Sequence, residues 1–289
     1  MTRDRLGEQL ARLCADTVVS ARLATDPLRF VRRYADARDR EIAAVFAAGF
    51  AYGRVDLFGP VLERLFAAMD RRGGPRAWVD GFDVDRDGTD VAGLVYRWNR
   101  GVDVILLARG LRRALGGGTL EAVFDGADAA SALEAGVGAL RDAVVAEAPG
   151  CGVPATRFAE LPRGARYLLA RPSDGSSCKR WNLFLRWLVR PDDGVDLGVW
   201  TRLRPTDLVI PLDTHVGRIS RFLGLTDRAT DNWTTAVAIT DALRPYDPGD
   251  PVRFDFALAH LGISGGCTGG WDAAVCPACP LFDVCVEAC

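Results

Sequence analysis

Apolar residues recur three and four positions apart through most of this chain, in runs such as REIAAVFAAGFAYGR, FGPVLERLFAAM, ALEAGVGALRDAVVAEA and WTTAVAITDALRP. That interval is the period of one helix face, and the alternation of a half-buried strand is scarce. The pattern predicts an all-α fold. Glycine- and proline-bearing breaks at 71–77, 115–118, 149–154, 191–198 and 245–251 cut it into helices of ordinary length. Near the middle, Trp181, Phe184, Leu185 and Leu188 fall at i, i+3, i+4 and i+7, the stripe of an amphipathic helix with Lys179 in its first turn. A second helix start lies in IPLDTHVGRISRFLGL. There Leu212, Val216, Ile219 and Leu223 form the apolar face, Asp213 falls at the N-cap, and Gly224 is placed to end the helix. DVDRDGTD at 83–90 copies the opening of a calcium loop, but its twelfth position is Leu94 where a bidentate glutamate is needed. It reads as an acidic surface turn.

At 289 residues, 49% hydrophobic and 26% charged, the chain can build one large or two moderate domains. No segment approaches the roughly 18 apolar residues of a membrane span, and MTRDRLGEQLARLCADTVVS lacks the apolar run of a signal peptide. No membrane contact and a cytoplasmic location are expected. A formal charge of -2 neither selects nor excludes nucleic acid, because arginines and acids can occupy different faces.

The choice of cation is more informative. Of the 36 Lys plus Arg, 35 are arginine, and Lys179 is the single lysine. An amine can lose its proton and attack an electrophilic carbon, whereas a guanidinium stays charged. Gly175, Ser176 and Ser177 precede Lys179, and a Gly/Ser turn before a helix presents amides that suit a phosphate. The positive end of the helix dipole also disfavours the ammonium form. Asp213 sits at the other helix start, where a carboxylate suits the free amides. The two histidines, His215 and His260, read as structural.

Cys14, Cys151 and Cys178 are scattered, while Cys267, Cys276, Cys279, Cys285 and Cys289 crowd into the last 23 residues. In a cytosolic chain, closely spaced thiols more often share a metal than form disulfides. Four thiolates suit tetrahedral zinc or a 4Fe-4S cluster, and spacing does not separate the two. Cys289 is the spare thiol.

Gly175 through Lys179 ahead of an apolar helix, then DTHV at a second helix start, then a terminal cysteine loop with two- and five-residue gaps, resembles the helix-hairpin-helix DNA glycosylase superfamily, in its endonuclease III branch. The motifs cover roughly residues 165–289. The sequence departs from the family pattern in three places: Ser177 replaces the second glycine of G-x-G-x-K, the first cysteine gap is eight residues rather than six, and Asp213 lies 34 positions after Lys179 (213 - 179 = 34). Archaeal 8-oxoguanine glycosylases also lengthen this connector.

The resemblance implies a two-lobed fold, with a helical barrel at 38–195 ending in the hairpin and a cluster lobe of 1–37 plus 196–289. It makes Lys179 the nucleophile at the sugar C1' and Asp213 its assistant, in a glycosylase with β-lyase activity on an oxidised base, 8-oxoguanine first. Gly175, Ser176, Ser177, Arg171 and Arg180 would contact the DNA backbone, and Phe50, Tyr52 and Arg54 the flipped base. Cys267, Cys276, Cys279 and Cys285 would hold a 4Fe-4S cluster. The partner would be double-stranded DNA with a damaged base or abasic site, bound by a monomer. The alternative is a non-catalytic DNA-binding protein stabilised by zinc.

Overall fold

The computed structural model describes residues 3–286, in which helices make up almost all regular structure. Among the described residues no helix is long and apolar enough to cross a membrane. The chain opens with α1 (Arg3–Asp16) and the short α2 (Val19–Leu23) and α3 (Leu28–Val31). α4 (Ala37–Phe50) starts where the Asp36 carboxylate accepts the N–H groups of Arg38 and Asp39 at 2.8 and 3.2 Å. α5 (Val55–Asp70) follows, and α6 (Pro75–Asp80) begins on a proline whose missing N–H costs nothing at that position. The expected break at 71–77 is therefore confined to Arg71–Gly74.

The acidic segment at 83–90 is not a surface turn. It is α7 (Val84–Val91), capped by Asp83, and it turns Asp87 fully inward against Arg72 and Arg86 at 2.7 Å each. A carboxylate so paired can be buried, which its sequence context did not suggest. The only strands among the described residues are β1 (Val95–Tyr96) and β2 (Asn99–Arg100), which pair antiparallel. Then come α8 (Gly101–Leu115), α9 (Leu120–Val123), α10 (Ala129–Glu147), α11 (Arg163–Leu168), α12 (Lys179–Val189), α13 (Thr214–Phe222), α14 (Trp233–Leu243) and α15 (Asp255–Ile263). α8 packs along α10, α12 along α4, and α13 along α15, while α1 lies on α15 and on the turn Phe282–Val284.

α12 is less amphipathic than its stripe predicts, since every residue from Trp181 to Val189 is buried. A helix buried all round is a core element. Its apolar side chains each contribute on the order of 1.5–3 kcal/mol. Its buried Arg186 and Arg190 must be paired to be tolerated. Arg186 meets Asp196 at 3.2 Å and also Asp255 of α15; Arg190 meets Asp196, Asp193 at 3.0 Å and Asp250 at 2.8 Å.

The long connector between α12 and α13 is therefore packed rather than loose. Leu197 and Trp200 donate their backbone N–H groups to Trp187 and Leu188 at 2.8 Å. The Trp200 ring lies 5.2 Å from Phe184, and its indole N–H reaches Glu41 of α4 at 2.8 Å. Arg32 donates to the carbonyls of Val195 and Asp196 at 2.9 Å. The lobe boundary expected at 195–196 falls inside this network. Ile210 N–H, bonded to Thr240 of α14 at 3.0 Å, fixes the far end just before α13.

Candidate active site

The hairpin ahead of α12 is built by local bonds. Pro172–Asp174 form one 3-10 turn, Gly175 follows at φ +76°, and the Ser176 hydroxyl accepts from Cys178 N–H at 3.1 Å. Cys178, the N-cap residue, adopts φ +51°, a strained value for a non-glycine residue. Burial pushes its thiol up to about 12, which removes it as a nucleophile. The Ser177 hydroxyl donates to Leu212 C=O at 3.2 Å, so the serine in the second glycine position ties the hairpin to the residue before Asp213.

Lys179 occupies the first position of α12 and donates from Nζ to Ala51 C=O, at the end of α4, at 2.9 Å. Burial drives its pKa down; the charges of Asp213, Asp255 and Asp26 oppose the shift without cancelling it. Desolvation rather than the helix dipole is therefore the main cause. Asp213 caps α13 as the sequence indicates, with Oδ1 accepting from His215 and Val216 N–H at 2.9 Å. Gly224 N–H bonds Arg221 C=O and Leu225 N–H bonds Ser220 C=O, closing that helix.

Lys179 and Asp213 line one cavity of about 630 Å³, within the roughly 300–1,000 Å³ range of small-molecule sites. Tyr52, Arg54, Tyr167, Arg180, His215, Asp255 and Ile263 also line it. Tyr52 and Tyr167 meet edge-on at 5.0 Å, and the Tyr52 hydroxyl donates to Asn99 at 2.6 Å. Burial holds that phenol up at about 12, hence neutral. Arg54 stands exposed at the rim, paired with Asp56 at 2.7 Å.

Three expected contacts are placed differently. Phe50 is 1% exposed and packs on Tyr96, so it is core and no part of the cavity wall. Arg180 turns inward; it donates to the carbonyls of Gly49 and Tyr167 and lies 3.9 Å over the Tyr167 ring. Its guanidinium braces the wall instead of projecting to a backbone phosphate. Arg171 is drawn to Glu134 at 3.3 Å. Gly175 is exposed, and Ser176 and Ser177 are half-buried beside it.

The cavity contains acids that sequence reasoning missed. Asp255 at the start of α15 is 2% exposed, one oxygen held by Arg186 and Oδ1 without a partner. Burial raises its pKa to about 6 despite Arg186. His260 was expected in the core and is there, but it also lines the cavity, 3.4 Å from Asp26. The only sequence signal for Asp255 was its place at a helix start after the DPGDP break.

The cysteine loop is anchored to the same helices. Arg218 of α13 donates to Cys267 C=O at 2.8 Å, and Asp272 N–H points at Cys276 Sγ at 3.2 Å. The Cys279 thiol is raised by burial first and then by the charges of Cys267, Cys285 and Cys276, so the four share one neighbourhood. Among the described residues, however, no group of three or more His, Cys, Asp or Glu side chains is arranged to hold a metal ion. Cys289 lies outside the described residues.

Fold and site together define a mostly helical protein whose only lysine shares a cavity with several carboxylates. The family model described as "Protein of unknown function (DUF2400)" matches residues 26–264, well over half of the chain. The chain belongs to that family. No curated protein and no solved structure matches it.

Proposed function

We propose that this chain is a helix-hairpin-helix DNA glycosylase with β-lyase activity, acting on duplex DNA that carries an oxidised base, 8-oxoguanine foremost, or an abasic site. The observation that carries the reading is the placement of Lys179 and Asp213 at the starts of α12 and α13, on one cavity, with burial lowering the lysine pKa. The target nucleotide must leave the stack to reach such a cavity, at a cost of a few kcal/mol that damage reduces. The neutral Nζ attacks C1': an N–C1' bond forms as the glycosidic bond breaks and the base takes its electron pair. The Asp213 carboxylate stabilises the positive charge developing on the sugar. The nitrogen, after losing a proton, then expels the ring oxygen: the C1'–O4' bond breaks, O4' takes up a proton, and the resulting iminium acidifies C2', whose loss of a proton expels the 3' phosphate. The strand is nicked.

The cavity lining draws on the loop after α4, on α5 and on α12, and also on α13 and α15, as a cleft between two lobes would require. The exposed turn at Gly175 and the half-buried Ser176 and Ser177 suit a DNA phosphate. Cys267, Cys276, Cys279 and Cys285 would hold a 4Fe-4S cluster whose role is to order this lobe. The crowding of these thiols into the last 23 residues supports the assignment, and anaerobically purified protein should be brown with absorbance near 400 nm. Colourless protein carrying one zinc per chain would replace the cluster.

Borohydride trapping on an abasic-site duplex tests the chemistry. Wild-type protein should become covalently joined to DNA, and Lys179→Ala should not; equal trapping by the variant removes the assignment. A panel of lesion-bearing duplexes, scored for excision and nicking, identifies the base.

A further inference from the structure

We propose that Asp255 accepts the proton that Lys179 must lose before it can attack, leaving Asp213 to stabilise charge on the substrate. The inference rests on the glycosylase reading and divides its chemistry between two carboxylates. Asp213 spends Oδ1 on two backbone amides at 2.9 Å, the work of a helix cap. Asp255 differs. Its side chain is 2% exposed, Arg186 holds one oxygen, and Oδ1 is buried without a partner in the wall of the cavity that Lys179 lines. A partnerless buried carboxylate oxygen is costly, and a role in proton transfer accounts for its retention.

The groups around it are consistent with that role. From α12, Arg186 and Lys179 face the site; from α13, Asp213 and His215; on its own helix, His260; and from the segment before α3, Asp26. α1 presents Cys14 to a neighbouring cavity, together with Phe256 and Ala257. Arg186 is already committed to Asp196 and keeps Asp255 from being protonated at every working pH. An acceptor titrating near 6 is matched to work near neutrality. The two side chains are not in direct contact, so the proton passes through one intervening water: one N–H bond of the ammonium breaks and one O–H bond forms at Oδ1. Lys179 gains its lone pair, Asp255 becomes a neutral carboxyl, and the charge of the pair stays zero.

Single-turnover borohydride trapping across pH 5 to 9 tests this, using wild type, Asp255→Asn and Asp255→Glu, with melting curves for each. Wild type should show a rate that rises through an inflection near pH 6 and then levels. Asp255→Asn should be slower by about 10²-fold at pH 7 and recover toward pH 9, as the lysine loses its proton unaided. Asp255→Glu should keep most of the wild-type rate. A rate for Asp255→Asn within twofold of wild type at pH 7, or one reduced by the same factor at every pH, overturns the proposal. Should Asp255→Asn not fold, the wild-type profile decides alone, and a flat line from pH 5 to 7 overturns it. Absence of trapping by wild type at any pH brings down the glycosylase reading itself and this inference with it.

Discussion

Glu41 is 4% exposed and accepts three N–H donors: the Trp200 indole at 2.8 Å and the backbones of Leu120 and Glu121 at 3.1 Å. Replacing it by alanine orphans all three. The Leu120 and Trp200 donors are buried, so each costs about 1–3 kcal/mol, while that of Glu121 can recover water. The expected loss is about 4 kcal/mol, which for a chain of this size is a fall in Tm of about 10 °C. Glu41→Gln keeps one oxygen for Trp200 and Glu121 but turns an NH₂ toward Leu120 N–H, a donor against a donor. Its loss should be about 2 kcal/mol. Circular dichroism melts of the three proteins, with Trp200 emission as a local reporter, make the comparison. An alanine variant melting within 2 °C of wild type, or a glutamine variant melting below the alanine one, would refute the claim that this carboxylate pins the connector.

Gly262 of α15 has no room for a methyl group: a Cβ there would lie 2.6 Å from both Cβ and Nδ1 of His215. Gly262→Ala should cost about 1–3 kcal/mol in a melting experiment. It should also slow trapping at temperatures where the variant is folded, since Asp213 and Asp255 begin the two helices it pushes apart. For Asp87, burial raises the carboxyl, but Arg86, the Asp83 amide and Arg72 more than offset it, leaving a value of about 2 against an ordinary 3.8. A folded value below the unfolded one gives stability that is present above about pH 4 and lost as the pH falls toward 2. The Tm gap between wild type and Asp87→Asn should therefore be wide at pH 7, narrow as the pH falls below about 4, and close near pH 2.

The helices and the two helix starts were legible because they depend on local spacing and local caps. Lys179 stood out by composition, and Asp213 by its place before Thr214. What the sequence hid was set by tertiary packing. Asp83–Asp90 looked like a solvated turn because one of the arginines that lets Asp87 be buried, Arg72, comes from before α6. Arg180 carries the same charge whether it faces solvent or the carbonyls of Gly49 and Tyr167, and only the fold says which. Asp255 sits 76 residues from Lys179 (255 - 179 = 76), too far for any local pattern to link them.

The arginine and aspartate pairs beneath α12 have a consequence for ionic strength. Arg186, Arg190, Asp196 and Asp255 are each less than a tenth exposed, so mobile counter-ions cannot reach them. Under the proposed role on DNA, added salt should weaken the grip on the polyanion steeply while leaving the spacing of the reacting groups untouched. Affinity and turnover would then respond differently to the same change of buffer.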